Sequence, residues 1–203
     1  MSARGKFITL EGVDGAGKST HLEFIAHTIR SGGRHVVVTR EPGGTPFAER
    51  LRKMILEEPM DPVAATLLVF AARRDHVAKV IRPKLEAGSW VICDRFTDAT
   101  VAYQGAGQGV PLEFIERLGM DVHSGLMPDR TLLFDLPPTV STQRLAVSGK
   151  VLDRFEREDH AFFDRVRDAY LKRARAEPDR VRVIDASGDQ AQIRKALEKH
   201  LVF

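Results

Sequence analysis

Five short runs of apolar or β-branched residues recur along the chain and indicate strands. They lie at residues 6–11, 35–40, 90–94, 130–135 and 181–185, with a shorter run at 201–203 as a frayed sixth. The runs are continuous rather than alternating, and segments of helical length separate them. Buried parallel strands show this pattern because helices cover both faces of their sheet. We therefore predict a doubly wound α/β fold with a five-stranded parallel sheet flanked by helices on both faces.

The segments between these runs carry apolar residues at helical spacing. Residues 18–29 place one apolar stripe on a helix face and end at a Ser-Gly-Gly turn. The longest segment, 62–81, is apolar around much of its circumference, and we expect it to stop before Pro83. A third helix is expected over residues 111–122, with its proline in the first helical position. Between 145 and 175 the apolar period breaks and arginines are dense, which predicts a mobile, charged excursion between two helices.

Each predicted strand ends in an ionisable residue. These residues are Glu11, Arg40, Asp94, Asp135 and Asp185. A strand that simply ends at a polar loop explains part of this pattern, but not why all five are ionisable. Because open parallel sheets bind ligands outside the carboxyl ends of their strands, we predict a polar ligand site at that edge.

Composition is that of an ordinary globular protein. The 203 residues are 43% hydrophobic and 29% charged, and no linker or repeat divides them, so we expect one domain over 1–203. The only cysteine, Cys93, lies within a predicted strand, where a small buried residue is expected and a reactive thiol is the alternative. No apolar run approaches the roughly 18 residues of a membrane span, and the first residues lack a secretory apolar segment. We therefore expect a cytoplasmic protein without a membrane partner.

Charge argues against a nucleic-acid partner. The chain has 31 Lys and Arg against 28 Asp and Glu, a formal net charge of +3. This excess is too small to indicate a surface for a polyanion, and even the most basic stretch, 144–182, is mixed in sign. The mixed charge of this stretch is still compatible with binding of a small, highly charged ligand.

A glycine-rich loop follows the first predicted strand and precedes the first predicted helix. Residues 12–19 read GVDGAGKS, a full match to GxxxxGK[ST]. In this context backbone N–H groups surround phosphate oxygens, the lysine adds charge near the β- and γ-phosphates, and the serine can ligate Mg²⁺. A glycine turn with a surface lysine is the structural alternative. We predict a nucleoside triphosphate, bound with magnesium by Gly12, Val13, Asp14, Gly15, Ala16, Gly17, Lys18, Ser19 and Thr20.

Four further segments bear on the reaction, because switches, kinases and passive nucleotide-binding modules all share this loop. They are TREPGGT at 39–45, FAARR at 70–74, DRF at 94–96 and TVAYQG at 100–105. Together with the loop they resemble the thymidylate kinase family, over residues 7 to about 185. The resemblance implies a P-loop NTPase fold with a short lid at about 146–157. It also implies ATP with Mg²⁺ as phosphate donor, dTMP as acceptor and dTDP as product.

The acceptor phosphate and base are assigned to two arginines. Arg95, at a strand end beside the loop, is a bidentate fork suited to a monophosphate. Its structural alternative is an ion pair with Asp94 or Glu41. The resemblance makes Arg73 the family arginine that donates to a pyrimidine carbonyl.

The remaining acceptor residues also follow from the resemblance. The base packs on Val69 or Phe70, depending on how the spacing to the pyrimidine arginine is counted, and a core position is the alternative for Phe70. Thr100 and Gln104 match positions at the base edge, and Tyr103 matches the one that crowds the sugar 2′ position, favouring deoxyribose. The predicted acceptor set is Glu41, Pro42, Phe47, Val69, Phe70, Arg73, Arg95, Thr100, Tyr103 and Gln104.

Other residues are assigned to the space between and above the two nucleotides. By resemblance, Asp14 lies between the donor and acceptor phosphates and manages the magnesium ion, its water or a nearby arginine; a surface turn is the alternative. Arg144 corresponds to the arginine that stacks on the donor adenine. Asp94 helps to hold the magnesium water shell, so the predicted metal residues are Ser19 and Asp94.

Cationic groups in the lid complete the predicted machinery. Residues 152–156 match the family's Asp-Arg-x-Glu segment, and position 15 is glycine rather than a basic residue. Transfer needs positive charge on the equatorial oxygens of the phosphoryl group, and the family supplies it either from a basic residue in the loop or from basic residues in the lid. The resemblance therefore implies that the lid supplies it here, from Lys150, Arg154 or Arg157. The predicted catalytic residues are Asp14, Lys18, Arg95 and Arg154.

Two rival functions and the assembly remain open. The chain could be another nucleoside or nucleoside-monophosphate kinase, or a P-loop switch module whose partner is a protein. A switch module has no need of the second pocket. The extra apolar face of residues 62–81 and the resemblance indicate a homodimer. Alternatively, residues 111–122 cover that face within one subunit.

Overall fold

A five-stranded parallel sheet forms the centre of the molecule. The computed structural model describes residues 4–147, 149 and 153–201. Its strands are β1 (Phe7–Glu11), β2 (Val36–Arg40), β3 (Trp90–Asp94), β4 (Arg130–Asp135) and β5 (Val181–Asp185). They lie in the order β2-β3-β1-β4-β5 and every pairing is parallel, which confirms the predicted fold class. Leu201 lies in a bend rather than a strand, and residues 202–203 lie outside the described residues.

Helices connect the strands along the described chain. They are α1 (Lys18–Ser31), α2 (Pro46–Glu57), α3 (Pro62–His76), α4 (Arg82–Glu86), α5 (Thr97–Thr100), α6 (Leu112–His123), α7 (Pro138–Val147), α8 (His160–Ala176) and α9 (Gln190–Glu198), with π-helical segments at Val77–Ile81 and Val101–Gly107. None of the described helices is both long and apolar enough to cross a membrane.

Alternate residues of the central strands pack on opposite faces of the sheet. Phe7 and Cys93 belong to a buried cluster with Ile81, from the π-helical segment. Ile8 belongs to a separate cluster with Ile25 of α1. Helices therefore cover both faces, as expected. Cys93 is fully buried and burial raises the pKa of its thiol, which fits the buried strand residue rather than the reactive thiol.

The expected helix end before Pro83 is wrong. Helical structure continues without a break from Pro62 to Glu86, through the π-helical segment Val77–Ile81. A proline inside an α-helix removes an N–H donor and collides with the carbonyl four residues earlier. The π-helical turn, whose hydrogen bonds span one residue more, precedes Pro83 and places it in the first turn of α4, where a proline is tolerated. The helix α6 likewise begins one residue late, because Pro111 is its N-cap.

The carboxyl ends of β1, β2 and β3 carry the loops that contain the predicted motifs. Because β1 lies between β3 and β4, the loop after Glu11 runs beside the residues that follow Asp94. Arg95 N donates to Leu10 O at 2.9 Å, which ties these two strand ends together. The charged excursion lies between α7 and α8, and its residues 148 and 150–152, including Lys150, lie outside the described residues.

Candidate active site

The glycine-rich loop wraps the N-terminus of α1 as the sequence predicts. Gly12 has a φ of 134°, and a Cβ at this position would collide with the carbonyl oxygen of Phe134, so glycine is required there. The Lys18 side chain is buried, and its Nζ donates to the carbonyl oxygens of Gly12 and Val13 at 3.0 Å each. Burial, and then the positive charge of Arg95, lower the pKa of Lys18.

An open cleft lies against this loop, and we call it the phosphate-loop cleft. Of the residues predicted to bind the triphosphate and its metal ion, Gly12 and Val13 do not line this cleft. The others do, namely Asp14, Gly15, Ala16, Gly17, Lys18, Ser19, Thr20, Asp94 and Arg144. The walls are completed by Gly188, Asp189 and Gln190, which lead into α9. Arg144 Nη2 donates to the carbonyl oxygen of Ala186 at 3.1 Å, which holds its side chain on that side of the cleft.

A second cleft adjoins the first, and we call it the adjacent cleft. Eight of the ten predicted acceptor residues line it, namely Glu41, Pro42, Val69, Arg73, Arg95, Thr100, Tyr103 and Gln104. Phe70 and Phe47 do not. Phe70 is buried against Val110 and Ile115, whereas the half-exposed Phe47 lies beneath Arg50.

One ion pair stands at the junction of the two clefts, because Asp14 and Arg95 line both. Arg95 Nη2 donates to Asp14 Oδ1 at 2.6 Å, and the Tyr103 hydroxyl donates to Asp14 Oδ2 at 2.8 Å. The guanidinium carbon of Arg95 lies 4.7 Å from the centre of the Tyr103 ring. The partner of Arg95 is therefore Asp14, not Asp94 or Glu41, and Asp14 is not a surface turn residue.

The electrostatics of this pair keep Asp14 ionised. Burial alone would raise the pKa of Asp14, but the positive charges of Arg95 and then Lys18 outweigh burial and lower that pKa to about 2. The backbone of Arg95 adopts a left-handed conformation with a φ of 72°. Because such a backbone is rare for a residue with a side chain, it marks a position that the surrounding structure holds in place.

A fully buried ion pair, Glu41 with Arg73, lines the adjacent cleft, and Glu41 also lines the phosphate-loop cleft. Arg73 Nε donates to Glu41 Oε2 at 2.6 Å, and Arg73 Nη2 donates to Thr100 Oγ1 at 3.0 Å. His76 Nδ1 lies 3.0 Å from the other oxygen of Glu41. Burial would raise the pKa of Glu41, but the charge of Arg73 outweighs it and lowers the pKa. Arg73 Nη1 is buried and has no partner among the described residues, so it retains a donor for a ligand.

Two residues of the phosphate-loop cleft suit a magnesium ion. Asp94 Oδ1 is buried and accepts no hydrogen bond from the described residues. Ser19, whose hydroxyl follows the P-loop lysine, lines the same cleft. Hydroxyl and carboxylate oxygens are the ligands that Mg²⁺ takes in proteins, often with water between. The donor set therefore fits the ion.

Of the described lid residues, Asp153 and Phe155 line the adjacent cleft. Arg154 Nη1 donates to the carbonyl oxygen of Glu58 at 3.2 Å, and its guanidinium carbon lies 4.6 Å from the centre of the Phe155 ring. Within the described part of the chain, neither Arg154 nor Arg157 lines either cleft, whereas Glu156 lines the phosphate-loop cleft.

Arg52 is a site residue that the sequence reading missed. It lies on α2, lines both clefts, and donates to the carbonyl oxygen of Pro42 at 3.0 Å. Burial, and then the charge of Arg40, lower the pKa of Arg52. The signal that could have found it is the helix start at Thr45, where a capping threonine precedes Pro46. Counting helical turns from there places Arg52 within the helix that follows the second strand.

Comparisons with known proteins agree with this geometry. The family model described as Thymidylate kinase matches residues 10–197. The chain is 56% identical over 201 residues to Thymidylate kinase of Ralstonia nicotianae, covering 97% of this chain and 98% of that protein. It is 51% identical to Thymidylate kinase of Burkholderia vietnamiensis, covering 98% of each. The crystal structure of thymidylate kinase from Ehrlichia chaffeensis superposes with a TM-score of 0.79 at 34% identity, covering 98% of this chain and 99% of that one.

Proposed function

Because the chain belongs to the thymidylate kinase family, we propose that it transfers the terminal phosphate of ATP to dTMP, forming dTDP. The observation that carries this proposal is the Asp14–Arg95 ion pair, which lines both clefts. A donor in one cleft and an acceptor in the other would meet at these two side chains. Holding both nucleotides in line supplies most of the catalysis, and no covalent enzyme intermediate is needed.

The phosphate-loop cleft is proposed as the ATP site. Backbone N–H groups of residues 12–20 surround the phosphates, and Lys18 exchanges its loop carbonyls for β- and γ-phosphate oxygens. Arg144 packs on the adenine. Mg²⁺ bound with ATP neutralises charge on the phosphates, and Ser19 and Asp94 would hold it directly or through water.

The adjacent cleft is proposed as the dTMP site. Arg73 Nη1, the unpartnered donor, binds a carbonyl of the pyrimidine, with Thr100 and Gln104 at the base edge. Of the two candidates for the base face, Val69 is the one on the cleft wall. Tyr103 crowds the sugar 2′ position.

The phosphate of dTMP needs cationic partners near the junction of the clefts. Arg95 supplies one, and Arg52, which lines both clefts, is proposed as a second. Arg154 lies at the carbonyl of Glu58, so a catalytic role for it requires the lid at about 146–157 to close.

A coupled assay with ATP and a panel of acceptors tests the function. The purified chain should form ADP rapidly with dTMP and much more slowly with dCMP, UMP or thymidine. A preference for another monophosphate would indicate a different nucleotide kinase. Slow hydrolysis of ATP that no acceptor accelerates would instead indicate a switch module.

The assembly is proposed as a homodimer formed through α3 and α6. Part of the apolar face of α3 is covered within the subunit, where Phe70 packs on Ile115 of α6. Val63 and Leu67 of α3 and Leu112 of α6 nevertheless remain 40 to 48% exposed. A symmetric partner would bury them. The single domain over 1–203 and the cytoplasmic location remain predictions, which limited proteolysis and cell fractionation would test.

A further inference from the structure

The helix α8 borders neither cleft, yet one of its side chains reaches the arginine at their junction. Arg95 Nη1 donates to the Tyr170 hydroxyl at 3.3 Å. That hydroxyl in turn donates to Glu11 Oε2 at 2.9 Å. Tyr170 is 3% exposed and Glu11 is fully buried, and neither lines the phosphate-loop cleft or the adjacent cleft. Neither residue is therefore placed to contact a nucleotide.

Glu11 also holds the backbone next to Arg95. Its other oxygen, Oε1, accepts from the backbone N–H of Phe96 at 2.7 Å. Arg95, which precedes Phe96 in the chain and has the left-handed backbone, lies between these two contacts. One carboxyl group thus fixes Arg95 from two directions, through the main chain that follows Arg95 and through the Tyr170 hydroxyl that meets its guanidinium.

The position of Glu11 is electrostatically unfavourable in itself. Burial, and then the negative charge of Asp98, raise the pKa of Glu11 to about 8. A leucine or methionine would fill the same space without burying a carboxyl group, so packing alone does not explain the glutamate. Its two hydrogen bonds, one on each oxygen, both lead to Arg95 or its neighbour.

We propose that Glu11 and Tyr170 are positioning residues that hold the Arg95 guanidinium at the junction of the two clefts. The inference rests on the proposed function, because it gives Arg95 a role between the two phosphates. Without the Tyr170 hydroxyl, Arg95 Nη1 would keep, among the residues that the structure describes, only the carbonyl oxygen of Gly12, at 3.1 Å, as a partner. The guanidinium could then rotate about its remaining contacts, and small misplacements of a catalytic group lower rates up to about 100-fold.

Tyr170→Phe is the direct test, because the ring and its packing remain and only the hydroxyl is lost. We expect kcat to fall about tenfold, while the KM values for ATP and dTMP change less than about threefold, since Tyr170 does not touch either nucleotide. The matched control is Thr28→Val. It also removes a single hydroxyl, here one that donates to the carbonyl oxygen of Phe24 at 2.9 Å within α1, and Thr28 lines neither cleft. Its kcat should stay at the parent value.

A double-mutant cycle with Arg95→Lys distinguishes positioning from general damage. Lysine keeps the charge but has no Nη1 for the tyrosine to hold, so Tyr170→Phe should cost nothing further in that background. Equal losses in both backgrounds would overturn the proposal, as would a Tyr170→Phe enzyme within about twofold of the parent. If Tyr170→Phe does not fold, Glu11→Gln enters the same cycle with the same expectations.

The parent enzyme separates the two levels of failure. Its rate with ATP and dTMP is measured first and tests the proposed function alone. If the parent phosphorylates dTMP but Tyr170→Phe lowers kcat equally in both backgrounds, the proposed function is supported and the positioning role is overturned. A parent without kinase activity removes the function, and with it the role assigned to Glu11 and Tyr170.

Discussion

At the scale of single residues, the charges of the site are held in pairs, one fully buried and one partly exposed. Glu41 with Arg73 and Asp14 with Arg95 place two carboxylates and two guanidinium groups around one cleft. Removing one member of a buried pair leaves the other charge uncompensated, whereas exposed pairs contribute little. The same chemical change should therefore have different effects at buried and exposed sites.

Glu41→Gln should lower the free energy of unfolding by about 3–5 kcal/mol, because it leaves the buried Arg73 without a counter-charge. Glu49→Gln is the matched control, since Glu49 pairs with Arg40 at 2.9 Å on the surface. That change should cost about 0–1 kcal/mol. Urea unfolding of both variants measures the difference, and equal losses would contradict the importance of burial.

The raised pKa of Glu11 predicts a pH dependence of stability. Its pKa is about 8 in the folded chain against 4.5 for a free side chain, so ionisation penalises the folded state. The contribution of Glu11 to the free energy of unfolding is complete below about pH 4.5 and is lost as the pH rises through about 8. Relative to Glu11→Gln, the parent should therefore lose up to a few kcal/mol of unfolding free energy between these values. Urea unfolding of both proteins at several pH values across this range measures the effect. If the difference between their free energies of unfolding does not change with pH, the raised pKa of Glu11 is contradicted.

The sequence was sufficient to predict most residues of the site. It was not sufficient to predict which of them form ion pairs with each other. Motifs placed Asp14, Arg73 and Arg95 at strand ends or on a neighbouring helix, and the clefts contain all three. The carboxylate partner of Arg95 depends on the left-handed turn after β3, which no local pattern announces. The choice between Val69 and Phe70 likewise depends on the rotation of α3 about its axis.

At the scale of elements, α8 and the π-helical segment Val101–Gly107 are packed with no spare space. A Cβ on Gly107 would collide with the ring of Phe162, which is buried on α8. The π-helical segment carries Tyr103 and α8 carries Tyr170, and both hydroxyl groups contact Arg95. The fit of these two elements therefore affects the position of Arg95.

Gly107→Ala should push α8 away from the π-helical segment and lower the free energy of unfolding by about 1–3 kcal/mol. It should also lower kcat, because both tyrosines shift relative to Arg95. Gly109→Ala serves as control: it has open space around it but a φ of 79°, so it costs about 1 kcal/mol of strain and leaves kcat unchanged. Thermal unfolding and turnover are measured on both proteins. A Gly107→Ala enzyme with parental kcat would contradict the coupling.

Strands were easier to predict than helices, for a physical reason. The three central strands are continuous and almost wholly buried runs. The helix α2 buries only Ala48 and Ile55, although apolar residues recur along it at helical spacing. The proline rule failed at Pro83 because the preceding π-helical turn accommodates the ring. Sequence patterns report burial well, but they do not report local changes of helix type.

At the scale of the whole molecule, the exposed apolar stripe of α3 predicts the assembly. Leu67→Glu should reduce the mass measured by light scattering after size exclusion from about twice 22.6 kDa to that of one chain. A charge placed in a buried interface is unfavourable unless it is paired.

Val183→Glu is the control for that experiment. Val183 is 45% exposed, close to the 48% of Leu67, but it lies on the edge strand β5, which packs against β4, α8 and α9. This variant should keep the parental mass. A parent that already has the mass of one chain at micromolar concentration would remove the dimer from the proposed function.

The ion pair shared by the two clefts makes their ligands thermodynamically dependent on each other. Any anion that binds Arg95 in one cleft competes with Asp14 and changes the potential that the other cleft presents. The two binding equilibria are therefore linked. By reciprocity, the factor by which bound ATP changes the affinity for dTMP must equal the factor by which bound dTMP changes the affinity for ATP. A single salt bridge thus makes the affinity for each nucleotide a property of the pair of clefts, and neither cleft sets it alone.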